Sequence, residues 1–416
     1  MLDTTRRKPD YPLLTAVGVL VPIGLVMVYS SSFVDAYTTR DGPLYYALRQ
    51  LVAGMIGIAA LLVTMRIDYR IWQRYSLHFM GATIGLLLMV LILPASITEV
   101  NGARSWIRIG GFSMQPSEIA KLALIVYFAN WLSQRREKVS SFYMGLIPVG
   151  VVLGLVCGLV LLEGDLGTTI VLALIGLTIY FVAGANLLHI LFVTGLSVGV
   201  FLAMINLASY RLSRIAAWQD PFANYLGAGY QPVHSLLALG SGGLFGVGLG
   251  QARQKFLWLP QAHTDTIFSI IGEEFGFIGT VFIVGCFLVI AYRGMLIAGR
   301  SSNPFAALMA VGITAWLVFQ AFINIAVVTT IIPFTGLTLP FISYGGTSLV
   351  MSMVAAGILL NISKHTSDRA EPEPTDANPT PRRPVQLTTN PLAVWWRNRG
   401  ARLPSAGSRR RAYRRS

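Results

Sequence analysis

The chain has few charged residues and almost no cysteine. Only 12% of its 416 residues are Asp, Glu, Lys or Arg, while 54% are hydrophobic, and the mean hydropathy is +0.63. This composition excludes an ordinary soluble domain and is typical of a protein that spans a membrane. The two cysteines, Cys157 and Cys286, both lie in apolar runs. Thiols therefore supply neither a disulfide framework nor a metal cluster.

The motifs of several soluble enzyme classes are also missing. The sequence has no Walker A motif, no HExxH and no GxGxxG that opens a helix after a strand. ATP-driven transport and hydride chemistry are therefore poorly supported. The net charge of +14 does not indicate a nucleic-acid partner either. Residues 364–416 hold twelve Lys or Arg against four Asp or Glu, so more than half of the excess positive charge lies on this tail.

Long stretches without charge predict the membrane spans, since a helix needs about 20 apolar residues to cross a bilayer. Six stretches contain no Asp, Glu, Lys or Arg: Tyr11–Val34, Tyr75–Thr98, Val139–Leu162, Leu166–Tyr210, Phe275–Tyr292 and Ser301–Ser363. The fourth and the sixth are long enough for two helices each. Leu44–Met65 and Pro116–Gln134 add one span each. We predict an all-α polytopic membrane protein with about ten transmembrane helices and a long outer loop, residues 211–265, between helices 7 and 8.

An even number of spans places both termini on one side of the membrane. If that side is the cytoplasm, 23 Lys or Arg lie inside and nine lie outside, as the positive-inside rule favours. Without the tail the ratio is eleven to nine. We predict a multi-pass protein of the inner (plasma) membrane with a cytoplasmic N-terminus at residues 1–10. The membrane domain then covers residues 11–363, and a basic, disordered cytoplasmic tail covers residues 364–416.

The remaining polar residues cluster in three segments at predicted outer helix ends. In the first, Arg104 and Arg108 precede Pro116, and Glu118 and Lys121 follow it on one helix face. Lys121 beside the two arginines would form a cationic patch suited to a pyrophosphate. Alternatively, Glu118 and Lys121 simply neutralise each other.

The second segment is the tight turn Glu163-Gly164-Asp165, whose acids are either helix caps or part of a metal or substrate site.

The third segment runs from Tyr230 to Gly276. Its glycine-rich part, Ser241–Gly250, indicates a backbone that is tightly turned or closely approached.

A lone carboxylate, Asp265, follows the glycine-rich part and precedes the next span. It is either a helix N-cap or, facing a cationic groove, a catalytic acid or base. His263 forms a relay with it or is an ordinary interfacial histidine. Glu273 and Glu274 lie two turns further in, where acids serve function or hydrogen bonding between helices.

Together these motifs resemble the SEDS family (shape, elongation, division and sporulation) over residues 11–363. The resemblance is carried by Gln115-Pro116-Ser117-Glu118 with Lys121, Gly240–Gly250, His263-Thr264-Asp265, Glu273-Glu274, and Pro340–Gly346 with Ser343. The segments around Tyr230-Gln231, Gly248–Lys255 and Leu259–His263 are more similar to the division members, FtsW, than to the elongation members, RodA. Four residues depart from the usual family pattern: Ser105, Gln261, Thr266 and Thr347.

The resemblance implies an inverting glycosyltransferase that polymerises peptidoglycan from lipid-linked disaccharide-peptide (lipid II) at the outer membrane face, for septal synthesis in cell division. It implies that Asp265 is the catalytic base. The residues implied to bind substrate or pyrophosphate are Lys121, Glu118, Arg104, Arg108 and Lys255. The supporting residues are Asp165, His263, Glu273 and Ser343.

The resemblance also implies a divalent cation, Mg²⁺ or Mn²⁺, whose ligands the sequence does not reveal, and no organic cofactor. The expected partners are lipid II, a monofunctional class B penicillin-binding transpeptidase and other division or elongation proteins. Three alternatives remain: a lipid II translocase (flippase), a secondary transporter, and an elongation or sporulation member of the same family.

Overall fold

Long helices account for most of the described chain. The computed structural model describes residues 8–39, 42–100, 103–109, 112–206 and 209–366. The helices are α1 (Tyr11–Thr39), α2 (Tyr45–Arg66), α3 (Arg70–Ile92), α4 (Ala95–Thr98), α5 (Pro116–Ser133), α6 (Ile147–Leu162), α7 (Leu166–Val182), α8 (Leu187–Asn206), α9 (Ser209–Gln219), α10 (Tyr230–Ser241), α11 (Ile267–Arg300), α12 (Pro304–Val328) and α13 (Gly346–Ser363). The strands are β1 (Glu99–Val100), β2 (Ala103–Arg104), β3 (Ile107–Ile109) and β4 (Phe112–Met114).

Ten of these helices account for the predicted spans. Seven helical segments in the described residues are long and apolar enough to cross a membrane: α1, α2, α3, α6 with its preceding turn, α11, α12 and α13. The shorter α7 and α8 are also apolar, and α5 has 18 residues despite carrying Glu118 and Lys121. The prediction of about ten spans is confirmed, and the protein is a multi-pass membrane protein.

Helices α5 and α12 lie at the centre of the bundle. Helix α5 packs against α3, α7 and α12, while α12 also packs against α7 and α11. Most residues of both helices are buried, including Trp316 of α12 and Phe128 of α5. Polar side chains on these two helices are therefore held among neighbouring helices and not among lipid.

The start of α1 and the end of α13 lie at the same end of the bundle. The Arg293 guanidinium pairs with the Asp10 carboxylate, its Nε lying 3.0 Å from both oxygens. The Asp10 amide donates to Ser363 Oγ at 3.1 Å. This arrangement fits an even number of spans. Which side of the membrane this end faces stays a prediction, and of the predicted tail, residues 367–416 lie outside the described residues.

Two small hairpins form part of the first outer segment. Strands β1 and β2 pair with Glu99 opposite Arg104, and β3 and β4 pair with Arg108 opposite Ser113. The sequence analysis did not predict them, because strands of two or three residues are too short to show an alternating pattern. The Arg104 amide donates to the Glu163 carbonyl at 2.9 Å, which attaches the hairpins to the turn between α6 and α7.

The long outer loop contains α9 and α10 and then packs its glycine-rich part against a break in α11. Gly276 interrupts α11 with φ 65° and ψ −165°. The Val247 and Gly248 amides donate to the carbonyls of Glu273 and Glu274, at 2.9 and 3.1 Å. A Cβ on Gly246 would lie 2.2 Å from the Glu274 carbonyl oxygen. The glycine-rich backbone is thus both tightly turned and closely approached.

This close approach predicts different costs of an alanine substitution at two glycines with nearly the same φ angle. Gly246 and Gly250 have φ of +81° and +80°, but a Cβ on Gly250 would meet no atom within 4 Å. We expect Gly250→Ala to cost about 1 kcal/mol from backbone strain alone, and Gly246→Ala to cost at least about twice as much because its methyl group also clashes. Thermal unfolding in detergent measures both. Equal losses would show that the backbone contact does not constrain Gly246.

Candidate active site

Asp265 occupies a buried position in the loop just before α11. The residue is 8% exposed. Its Oδ1 accepts from Thr264 Oγ1 at 3.2 Å and its Oδ2 from Gln231 Nε2 at 3.4 Å. The N-cap position of α11 belongs to Thr266. Asp265 is therefore not the cap of this helix, and its carboxylate faces α10 and the outer loop.

Burial changes the proton affinity of this carboxylate. Desolvation raises the pKa of Asp265 to about 6, against the opposing influence of its hydrogen bonds and of the Arg214 charge. At neutral pH the group is ionised, yet it binds a proton more readily than an ordinary aspartate. A general base near neutral pH has this property.

A cavity of about 500 Å³ lies between the outer loop and the loop after α12, with Gln231 between it and Asp265. Its lining includes Arg214 of α9, Tyr230 and Gln231 of α10, and Phe334 from the loop after α12. Gln231 both lines the cavity and donates to Asp265, so the carboxylate lies one side chain away from it. The volume is in the range of small-molecule sites.

Two amide side chains of α12, Asn324 and Gln320, contact the Asp265 backbone, the loop after α12 and Lys121 of α5. The sequence analysis predicted neither residue. Asn324 Nδ2 donates to the carbonyls of Asp265 and Leu337, each at 2.7 Å. One turn earlier, Gln320 Oε1 accepts from Lys121 Nζ at 2.7 Å, and its Nε2 donates to the Thr338 carbonyl at 2.9 Å. These two residues could have been identified from the sequence, because two amides four residues apart lie on one face of an otherwise apolar helix.

Lys121 is buried in the bundle. Its Nζ lies 2.7 Å from Glu118 Oε1 and 5.0 Å from the centre of the Trp316 ring, and the side chain is 0% exposed. Lys121 is therefore shielded from solvent, whereas Arg104 and Arg108 are exposed, and its predicted cationic patch with them stays a prediction. Because an uncompensated ammonium inside the bundle would be costly, the lysine pairs with the nearest acid.

Arg104 and Arg108 lie on the exposed hairpins. Arg104 Nε is 3.6 Å from Glu99 Oε2, and Arg108 Nη2 donates to the Glu99 carbonyl at 2.7 Å. Exposed pairs of this kind contribute little to stability. Both arginines stay predicted substrate-binding residues, at a different depth from Lys121.

The turn between α6 and α7 carries two acids in different environments. Asp165 caps α7 by accepting from the Thr168 amide at 2.9 Å, and its Oδ2 accepts from Gln115 Nε2 at 2.9 Å. Glu163 is 1% exposed, and neither carboxyl oxygen has a hydrogen-bond partner among the described residues. Burial, helped by the Asp165 charge, raises the pKa of Glu163 to about 9, so the carboxyl group is neutral at pH 7.

Lys255 and Glu273 hold the outer loop in place. Lys255 Nζ lies 2.9 Å from Glu274 Oε1 and 3.1 Å from Ser30 Oγ of α1. Glu273 Oε1 accepts from the Arg253 amide at 2.8 Å. The two buried acids thus hold the segment just after the glycine-rich part on α11, and the Lys255 ammonium compensates Glu274. A direct role for Lys255 in binding pyrophosphate stays a prediction.

His263 and Ser343 also make structural contacts. The His263 ring packs between Tyr46 and Tyr344, with centroid distances of 4.4 and 5.4 Å. Burial lowers the pKa of His263 to about 4, so the ring is neutral at pH 7. Ser343 Oγ accepts from the Leu339 amide at 2.7 Å. The hydrogen bonds to the Asp265 carboxylate come from Thr264 and Gln231. These contacts do not support a proton relay between His263 and Asp265.

A metal held by the protein alone does not fit the described residues. No three His, Cys, Asp or Glu side chains come together among residues 8–39, 42–100, 103–109, 112–206 and 209–366. A cage of protein ligands for a divalent cation would require such a group.

The chain matches the cell cycle protein family model FtsW/RodA/SpoVE over residues 11–368. Stage V sporulation protein E of Bacillus subtilis is 41% identical over 368 residues, which cover 88% of this chain and 100% of the relative. A protein of Trichlorobacter lovleyi named probable peptidoglycan glycosyltransferase FtsW is 42% identical over 363 residues, which cover 86% of this chain and 95% of the relative.

Solved structures share the fold. A chain from a peptidoglycan synthase complex that coordinates polymerization and crosslinking has a TM-score of 0.68 and 28% identity, covering 85% of this chain and 97% of that chain. The rod shape determining protein RodA of Thermus thermophilus has a TM-score of 0.63 and 29% identity, covering 86% of this chain and 98% of its own. Because the family model and these relatives match nearly the whole described chain, the protein belongs to the FtsW/RodA/SpoVE family of cell cycle proteins.

Proposed function

We propose that the protein is a peptidoglycan glycosyltransferase that joins lipid-linked disaccharides into glycan strands at the outer face of the membrane. Relatives about 40% identical are named probable peptidoglycan glycosyltransferases. The observation that carries the proposal is the Asp265 carboxylate, which is buried, has a pKa raised to about 6 and lies one side chain, Gln231, away from a cavity of about 500 Å³. A translocase has no need of such a base.

The proposed reaction uses this carboxylate once in each cycle. The acceptor sugar hydroxyl attacks the anomeric carbon of the donor sugar, and its proton moves to Asp265. The new C–O bond forms as the bond to the diphosphate breaks, and the electron pair leaves with the polyprenyl diphosphate. Attack opposite the leaving group inverts the anomeric centre. Asp265 then releases its proton to water, which restores the base.

The lipid-linked substrate is proposed to be lipid II, and the role is proposed to be septal synthesis during division. Support comes from the FtsW-like sequence segments and from FtsW-named relatives at 42% and 40% identity. The similarity to a sporulation protein at 41% identity makes a sporulation role the second candidate. Expression timing and the site of a fluorescent fusion, septum or spore coat region, distinguish the two.

A class B penicillin-binding transpeptidase is the proposed partner. The structural neighbour with a TM-score of 0.68 comes from a complex that coordinates polymerization and crosslinking. Co-purification with candidate transpeptidases, followed by polymerisation with and without each one, tests the proposal.

We also propose that polymerisation depends on Mg²⁺ or Mn²⁺, with the ion bound chiefly by the phosphates of the substrate. Removal of the ion with EDTA and restoration of activity with each metal test this dependence.

The central experiment gives the purified protein lipid II and resolves the products by gel. We expect glycan chains from the wild-type protein. A parallel assay follows lipid II movement across vesicle bilayers. Transport without polymer would overturn the transferase proposal in favour of a translocase.

Asn324 provides a second test, because it holds the Asp265 backbone. Asn324→Leu removes hydrogen bonds to two carbonyls and should cost about 1–3 kcal/mol of stability and at least about tenfold in polymerisation rate. Asn361→Leu is the matched control: this buried amide of α13 donates to the Met65 carbonyl at 3.0 Å near the opposite end of the bundle.

We expect both leucine variants to lose comparable stability in thermal unfolding, and only Asn324→Leu to lose rate at a temperature where both are folded. Equal rates for the two variants would remove Asn324 from the positioning of Asp265.

A further inference from the structure

The proposed function requires a cation near Asp265, because the departing diphosphate carries negative charge away from the reacting carbon. None of the cations predicted from sequence lines the cavity that Gln231 separates from Asp265. Lys121 is 0% exposed and pairs with Glu118, and Lys255 is buried against Glu274. Arg104 and Arg108 lie on hairpins and contact Glu99. The inference below rests on the proposed function and concerns which residue meets this requirement.

Arg214 of α9 is in a suitable place. It is exposed and lines the cavity of about 500 Å³ that Gln231 separates from Asp265. Its Nη1 donates to the Phe334 carbonyl at 3.1 Å, which directs the guanidinium towards the loop after α12. Its positive charge also acts on the Asp265 carboxylate. A diphosphate in this cavity would therefore contact Arg214 while its sugar lies towards Asp265.

We propose that Arg214 binds the diphosphate of the lipid-linked donor in the cavity between α9, α10 and the loop that contains Phe334. A guanidinium suits this task because its planar set of donors can contact two phosphate oxygens at once. Gln231 acts as a positioning residue, since it contacts both the cavity and the base. As the bond to the sugar breaks, Arg214 stabilises the electron pair that moves onto the phosphate oxygen.

The same chemistry could serve a phospholipid headgroup, and the experiment distinguishes the two sources. Binding is measured on the full-length Asp265→Asn protein, so that turnover cannot obscure affinity. The probes are farnesyl diphosphate, farnesyl monophosphate and vesicles of phosphatidylglycerol. Three further variants are built on this background: Arg214→Ala, Arg214→Lys and the control Arg253→Ala. Arg253 is an exposed arginine of the same loop that does not line the cavity, and its alanine variant keeps the amide that Glu273 binds.

We expect Arg214→Ala to raise the Kd for farnesyl diphosphate about 30-fold, equivalent to about 2 kcal/mol, and Arg214→Lys to raise it less. The preference for diphosphate over monophosphate should shrink in Arg214→Ala and stay unchanged in Arg253→Ala. An unchanged Kd for farnesyl diphosphate in Arg214→Ala overturns the inference, and so does an effect confined to phosphatidylglycerol vesicles.

The binding experiment on Arg214 and the glycan assay of the proposed function can fail independently of each other. If the wild-type protein makes glycan while Arg214→Ala binds farnesyl diphosphate normally, the site assignment fails and the enzyme assignment stands. If the wild-type protein makes no glycan but Arg214 determines diphosphate affinity, the diphosphate site stands and the transferase proposal fails. In the polymerising protein, Arg214→Ala should raise the KM for lipid II as well as lower kcat.

Discussion

We expect the purified Asp265→Asn protein to polymerise lipid II at less than about one thousandth of the wild-type rate. Asparagine has nearly the shape of aspartate and can keep the contact with Thr264, but it cannot accept the proton of the acceptor hydroxyl. Loss of a general base costs about 10²–10⁴-fold, and among the described residues no second carboxylate hydrogen-bonds to Thr264 and Gln231. The rate of glycan formation from labelled lipid II measures the effect.

Asp220→Asn serves as the control for this variant. Asp220 is an exposed acid of the same outer loop, and its Oδ1 accepts from the amides of Phe222 and Ala223, each at 3.1 Å. Asparagine can make the same two contacts, so its rate and its unfolding temperature should match the wild type. A normal polymer yield from Asp265→Asn would remove Asp265 from the chemistry.

The second large effect is expected at Lys121. Lys121→Met leaves Glu118 buried without its partner at 2.7 Å, and breaking a buried ion pair on one side typically costs about 3–5 kcal/mol. We expect a clear fall in unfolding temperature in detergent, together with loss of polymerisation. Thermal unfolding and the glycan assay on the same preparation measure both.

A double variant separates structure from function at this position. Lys121→Met with Glu118→Gln removes both charges, so we expect most of the stability to return. We expect activity to stay below about a tenth of the wild-type value, because the positive charge next to Gln320 and Asp165 is still absent. If activity returns together with stability, Lys121 serves only as the partner of Glu118.

The membrane spans were predictable because they follow from local composition. Charge-free stretches identify the apolar helices, and Pro116 correctly predicts the start of α5. The same criterion gives a charge-free stretch that begins only at Phe275, whereas α11 begins at Ile267, directly after the predicted outer loop. Glu273 and Glu274 lie inside this helix, where amides of the outer loop and the Lys255 ammonium compensate them. An acid whose charge is compensated inside a helix and an acid at a helix end look the same when only charged residues are counted.

The site was only partly predictable because its contacts join distant parts of the chain. Asp265 could be identified as a lone carboxylate before a span. The pairing of Lys255 with Ser30 and Glu274 joins positions up to 225 residues apart, and no local pattern encodes it. Asn324 carries no charge and so does not stand out in an apolar span, although a buried amide can hold a catalytic loop as firmly as an ion pair.

The pH dependence of kcat/KM for lipid II polymerisation tests the central claim most directly. A base with a pKa of about 6 is active when deprotonated, so the rate should be constant above pH 7 and fall as pH decreases through 6. His263 titrates near 4 and Glu163 near 9, outside this window. The account predicts a fall of about tenfold per pH unit below 6, for a single proton, in protein that stays folded. A rate that stays constant between pH 7 and pH 5 would contradict the assignment of Asp265 as the base.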